Sequence, residues 1–238
     1  MNADLNDPKE LLGLRAAPVA IAFLDTPPAG ISRWQKAAKP AGCAFWQEAQ
    51  SGASFYTVAA DHFHCAVGAY THAIDLPPER AGQLDATISL MAESEYLEVA
   101  EVPGIPRLGR APAVVAYGPA AAPGFEPDVV LLTATPAQAM LIYEAALRAG
   151  AGNALTNLLG RPSCAVLPFT VAGQSAAVSL GCAGNRTYTG LRDDELYVAI
   201  PGSKWQDFRL RLAEIVGANQ RMSAYYVEHE AAVAIATP

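Results

Sequence analysis

Four cysteines, Cys43, Cys65, Cys164 and Cys182, are the residues of this chain best suited to chemistry. They are scattered, with no Cys-x-x-Cys motif. A metal would therefore have to collect thiolates from separate segments, as a zinc site or an iron–sulfur cluster does. The densest cluster of reactive side chains is Asp61-His62-Phe63-His64-Cys65. A histidine beside Cys65 can lower the thiol pKa and make a nucleophile, with Asp61 orienting the imidazole. A mixed cysteine/histidine metal site uses the same residues. The plainer alternative is that the cysteines pack as small apolar side chains. His72 and His229 stand alone and read as structural or exposed.

Arginines supply the second kind of chemistry. Gly181-Cys-Ala-Gly-Asn-Arg follows a strand pattern, and Arg186 there could add a charged fork to an anion-binding turn. Arg107, Arg110 and Arg161 occupy similar Pro/Gly-flanked positions, so a small anionic ligand is the expected partner. No GxGxxG, Walker A or GxSxG motif is present.

The order of landmarks repeats. Val19–Leu24 then Pro27 is echoed by Val129–Ala134 then Pro136, and Cys43-Ala by Cys164-Ala. Cys65-Ala-Val-Gly-Ala-Tyr-Thr is echoed by Cys182-Ala-Gly-Asn-Arg-Thr-Tyr-Thr, and Leu97-Glu-Val-Ala-Glu-Val-Pro-Gly by Leu196-Tyr-Val-Ala-Ile-Pro-Gly. An internal duplication with halves near 15–110 and 125–220 would bring corresponding cysteines together about a pseudo-two-fold axis.

The elements that must position these residues follow from pattern. Strands are expected at Val19–Leu24, Ser54–Ala60, Leu97–Glu101, Ala113–Tyr117, Val129–Ala134, Cys164–Phe169, Ala176–Cys182 and Leu196–Ile200. Helices are expected at Leu5–Leu14, Val67–Ile74, Ala81–Ala92, Asn153–Leu158 and Ser203–Gly217, with a weaker pattern around Trp34. Thr135 as N-cap with Pro136 at the first helical position starts another, running to Arg148. Strands mixed with helices predict an α+β fold, with a mixed-sheet α/β arrangement as the alternative.

Composition bounds the rest. The chain has 238 residues, 52% hydrophobic and only 16% charged, which excludes disorder and predicts one globular unit over residues 1–238. Alanine fills 48 positions. Such small side chains let elements approach closely, and alanine-rich helix faces are compatible with a homodimer. A net charge of −7 argues against nucleic acid, which is bound mainly through Lys and Arg. Apolar runs such as Pro18–Leu24 are far short of the ~20 residues that span a bilayer, so no membrane association is expected. The first ten residues carry three acids and no apolar stretch, which makes the cytoplasm the expected compartment and reduced thiols the expected state.

Several of these runs also resemble a bacterial and archaeal family known as domain of unknown function 169. They include Cys43-Ala-Phe-Trp, Asp61-His-Phe-His-Cys-Ala-Val-Gly, Pro127-Asp-Val-Val-Leu-Leu, Arg161-Pro-Ser-Cys, Ser179-Leu-Gly-Cys-Ala-Gly-Asn-Arg and Glu195-Leu-Tyr-Val-Ala-Ile-Pro-Gly. The resemblance covers roughly Leu11 to Tyr226 and supplies relatives rather than a reaction. It implies that Cys43, Cys65, Cys164 and Cys182 lie in family motifs together with His62, Arg161 and Arg186.

The resulting expectation is a cytoplasmic metalloprotein. Its four cysteines ligate an iron–sulfur cluster, with zinc or haem as alternatives, haem requiring a large apolar cavity. Redox or Lewis-acid chemistry would act on an anion held by Arg161 and Arg186. The competing expectation is a cofactor-free enzyme or binding protein using Cys65 as a thiol activated by His62 or His64.

Overall fold

The computed structural model describes residues 6–62 and 65–236, so His64 lies outside the described residues. Seven strands form one mixed sheet: β1 (Val19–Leu24), β2 (Phe55–Thr57), β3 (Val114–Pro119), β4 (Val129–Ala134), β5 (Leu158–Leu159), β6 (Ala177–Ser179) and β7 (Leu196–Pro201). The antiparallel pair β1–β4 is central, with Ala20 opposite Val130. β3 and β7 flank that pair, β2 and β6 lie outside them, and β5 adds to β6 as the parallel edge. The fold is α+β.

The helices are α1 (Pro8–Leu12), α2 (Ala44–Gln50), α3 (Ala66–Thr71), α4 (Gln83–Glu93), α5 (Pro136–Arg148), α6 (Val166–Gly173), α7 (Ala183–Thr189) and α8 (Trp205–Ala236). Side chains alternate across each strand. Val130, Leu132, Val198 and Ile200 meet Ile142 of α5 and Phe208 and Leu212 of α8 on one face. Val19, Ile21, Leu131, Tyr117 and Tyr197 meet Phe45 and Trp46 of α2 and Leu167 of α6 on the other. Burial on both faces explains why the central strands read as unbroken apolar runs.

The Thr135 cap forms as its sequence dictates, with Gln138 returning the bond to the Thr135 backbone N–H. Three expected strands change. Cys164–Phe169 is instead a 3-10 turn running into α6, a helix whose first residues are buried all round. Leu97–Glu101 gives way to the 3-10 segment Val99–Gly104, begun by a capping box between Glu98 and Glu101. Its echo of Leu196–Ile200 therefore does not hold, because that second stretch is β7. Ser54–Ala60 is strand only over β2 and then enters a 3-10 turn at Ala59–His62. Around Trp34 no helix forms; its ring packs on Phe45 and Phe55. The last helix runs well past Gly217, and residues 219–230 are exposed. No helix among the described residues is long and apolar enough to cross a membrane.

A bidentate ion pair ties the N-terminal segment to the loop before β7. Arg15 Nε and Nη2 donate to Glu195 at 2.7 and 2.6 Å, and the Arg192 backbone N–H adds a third bond to that carboxylate. These bonds, Arg15 first, hold the buried Glu195 carboxyl below the usual glutamate range. A depressed folded pKa gives stability above the unfolded pKa of about 4.3 that is lost as pH falls through the folded value. Glu195→Gln is therefore expected to be less stable than wild type at pH 7 and to converge with it on acidification toward pH ~3. Urea midpoints measured across that range check this, and a constant difference would refute it.

Candidate functional site

Each cysteine stands at the head of a different short helix. Cys43 precedes α2, Cys65 precedes α3, Cys164 lies in the turn entering α6, and Cys182 precedes α7. All four line a single cleft of about 590 Å³. That volume suits a cofactor or a small organic ligand. The thiols converge although 139 residue numbers separate Cys43 from Cys182.

The setting of Cys65 depends on two glycines. A Cβ on Gly68 would lie 2.6 Å from the Cys65 sulfur, and one on Gly42 would lie 3.7 Å from it and 3.6 Å from His62 Nδ1. A Cβ at Gly68 would press on the sulfur, whereas one at Gly42 would meet it at ordinary van der Waals distance. Cys164 accepts a hydrogen bond from Thr71 Oγ1 at 3.3 Å, joining the α3 end to the α6 turn.

Burial pushes the Cys43 thiol up to about 12, with a bond from Asn185 opposing the shift. It raises Cys65 against the Gly42 and Gly68 backbone groups, and Cys164 still further. Among the opposing and reinforcing influences, each of these three would also feel the charge of other cysteines, so ionising one hinders the next. A bound cation inverts that order, because it deprotonates coordinating thiols outright. Among the described residues, no group of three or more His, Cys, Asp or Glu side chains is gathered so that it could hold a metal ion.

His62 lies beneath this layer. It is 1% exposed, its ring packs on Phe45, its Nε2 shares a 2.8 Å hydrogen bond with Thr57 Oγ1, and its Nδ1 has no partner among the described residues. Burial lowers its pKa to about 4, so the ring is neutral at pH 7. A lowering of the Cys65 thiol by a His62 imidazolium is therefore opposed on both counts, while His64 lies outside the described residues. His72 is also fully buried, edge-on to Phe23, with its pKa lowered to about 3 by burial. His229, by contrast, lies on the outer part of α8 and stacks on Tyr225.

The two expected anion ligands separate. Arg161 reaches the cleft rim, where its guanidinium covers the Tyr96 ring at 4.9 Å and pairs with Glu101 at 3.2 Å. Arg186 does not line the cleft. It donates to the carbonyls of Leu180, Arg192 and Glu195, and so pins the loop before β7. Its place in an anion site is thus corrected to a loop fastener. Arg107 stacks over Tyr70, and Arg110 pairs with Asp25.

One wall of the cleft is a long excursion between α3 and β3, residues 72–113. Its α4 turns Leu84, Ile88 and Met91 inward at helical spacing. Tyr96 OH then accepts from the Ala183 backbone N–H at 3.2 Å, beside Cys182. The excursion thus bridges the mouth and touches both Arg161 and the α7 entrance. Sequence reasoning missed Glu101 and Ser163. The Glu98-x-x-Glu101 spacing carried a capping signal, whereas nothing local marks Ser163 as a cleft residue.

A protein-family model described as DUF169, Uncharacterised ArCR, matches residues 9–208. The chain is also similar to Uncharacterized protein MJ0308 of Methanocaldococcus jannaschii, with 28% identity over 152 residues, or 62% of this chain. That alignment spans 65% of the length of the archaeal relative. No solved structure matches the chain.

Proposed function

The chain belongs to the DUF169 family, and from that premise we propose that it is a cysteine-ligated metalloprotein. In this reading an iron–sulfur cluster is held by Cys43, Cys65, Cys164 and Cys182, beside a pocket for a small anion at Arg161. The observation that carries it is the meeting of all four cysteines, from four separate helix starts, in one cleft. A single zinc needs its sulfurs about 2.3 Å from one point, hence close to one another. A cluster distributes its thiolates over several irons and so accepts sulfurs farther apart than a single zinc does. When bound, it would supply electron transfer or a Lewis-acidic iron.

The same reading takes the fold as an internal duplication. What supports it is that β1–α2–β2–α3–β3 is matched by β4–α6–β6–α7–β7, arranged outward from the β1–β4 pair in the same order, with α4 in the first half and α5 and β5 in the second lacking a counterpart. Cys43 then corresponds to Cys164, and Cys65 to Cys182. The first half extends to Pro119, because β3 rather than Leu97–Glu101 corresponds to β7.

The cleft's size and apolar lining favour a haem as the second reading, with a cysteine as axial ligand. The reactive-thiol reading has less support, since burial raises Cys65. Protein purified without oxygen is expected to show a broad visible charge-transfer band, with iron and acid-labile sulfide present. A sharp Soret band would transfer the site to haem. Colourless, metal-free protein would overturn the metalloprotein assignment.

A further inference from the structure

The cleft carries information about its ligand beyond the cysteines. Among the described residues, Glu101 and Arg161 are the only charged side chains that line it, and both sit at the rim, 51% and 44% exposed. An exposed ion pair of this kind contributes little, so another anion can take the place of Glu101 at small cost. The guanidinium would stay in position, because it is stacked on Tyr96. The remaining lining is dominated by apolar groups such as Leu84, Ile88 and Met91.

Two residues of the lining also carry a sealed polar atom with no partner among the described residues. Ser163 and Asn185 both line the cleft and are each 1% exposed, and neither Ser163 Oγ nor Asn185 Oδ1 makes a hydrogen bond. Leaving such buried groups unpaired costs stability, so a ligand that satisfies them recovers part of that cost. One is a hydroxyl able to donate, the other an acceptor that requires a donor.

We infer that the cleft binds an organic anion with a substantial apolar body, its acid group replacing Glu101 on Arg161. A donor-bearing polar substituent of the same molecule would reach Asn185 and Ser163. This deepens the proposal that the cleft is the ligand site, and it is independent of whether the cysteines carry iron.

The probe is 8-anilinonaphthalene-1-sulfonate, an aromatic anion with a bridging N–H. Its uncharged counterpart is N-phenyl-1-naphthylamine. Both are titrated by fluorescence into the protein as purified, with iron measured on the same samples to report separately on the cluster. The sulfonate is expected to bind stoichiometrically and more tightly than the amine, despite the protein's net charge of −7. Arg161→Gln should weaken the sulfonate about tenfold and leave the amine unchanged. Glu101→Gln should tighten the sulfonate roughly two- to fivefold, and it serves as the test if the arginine variant fails to fold. Equal binding of the two probes, insensitivity to Glu101→Gln, or no binding of the sulfonate would each overturn the inference.

Discussion

Cys164→Ala is expected to abolish bound iron and visible absorbance altogether, and so is Cys65→Ala, Cys43→Ala or Cys182→Ala. The four thiols share one cleft, and in the proposed site each is one quarter of a single ligand set. Such effects are grossly non-additive: the quadruple variant should lose no more metal and little more stability than any single one. Gly68→Ala provides the complementary case, because its methyl would intrude to 2.6 Å from the Cys65 sulfur while keeping every ligand. It is expected to lower iron content without abolishing it. Elemental analysis and denaturation of the six variants test this. If the cysteines only pack, each substitution would instead cost about 1 kcal/mol and the costs would add.

The second large effect concerns the frame. Gly202→Ala is expected to destabilise the protein by about 4 kcal/mol or more, or to prevent folding. A Cβ there would fall 1.7 Å from the Pro127 carbonyl oxygen and 2.6 Å from its carbon. Those are backbone atoms, so no rotamer change relieves the clash. The contact is also held from the other side. The Gly202 N–H donates to Asp128 O at 2.8 Å, while the Asp128 carboxylate accepts from the Phe23 N–H at 2.7 Å. Backing Gly202 away would therefore loosen β1, β4 and β7 together. Gly13→Ala is the control: that glycine has φ of 62° with open space around it, so only about 1 kcal/mol of conformational strain is expected. Thermal unfolding of both variants decides, and equal losses would refute the steric account.

What could be read in advance divides along physical lines. β4 and the start of α5 were fully legible, because the strand is apolar throughout and Thr135-Pro136 is an unambiguous helix start. Cys164–Phe169 was not, since a helix buried on all sides and a buried strand both present an unbroken apolar run. The order of landmarks read from the sequence counted Leu97–Glu101 as a strand like β7, and that landmark fails because the segment becomes the 3-10 turn Val99–Gly104. The roles of the arginines were invisible locally. Arg161 and Arg186 have similar neighbours in sequence, yet one faces the cleft and the other fastens a loop. That difference is decided by the excursion 72–113, which brings Tyr96 and Glu101 to Arg161 from about 60 positions away.

The central position of β1 has a consequence for how the molecule is made. Its partners on both sides, β3 and β4, begin at Val114 and Val129, some 90 residues or more after Leu24. On a ribosome adding about 5–20 residues per second, Val-Ala-Ile-Ala-Phe-Leu therefore waits roughly 5–20 s with both hydrogen-bonding edges open. An apolar strand in that condition is a template for other chains. One of the two central strands of the finished protein is thus its most vulnerable segment during synthesis, and shielding by a chaperone matters most before residue 134 has emerged.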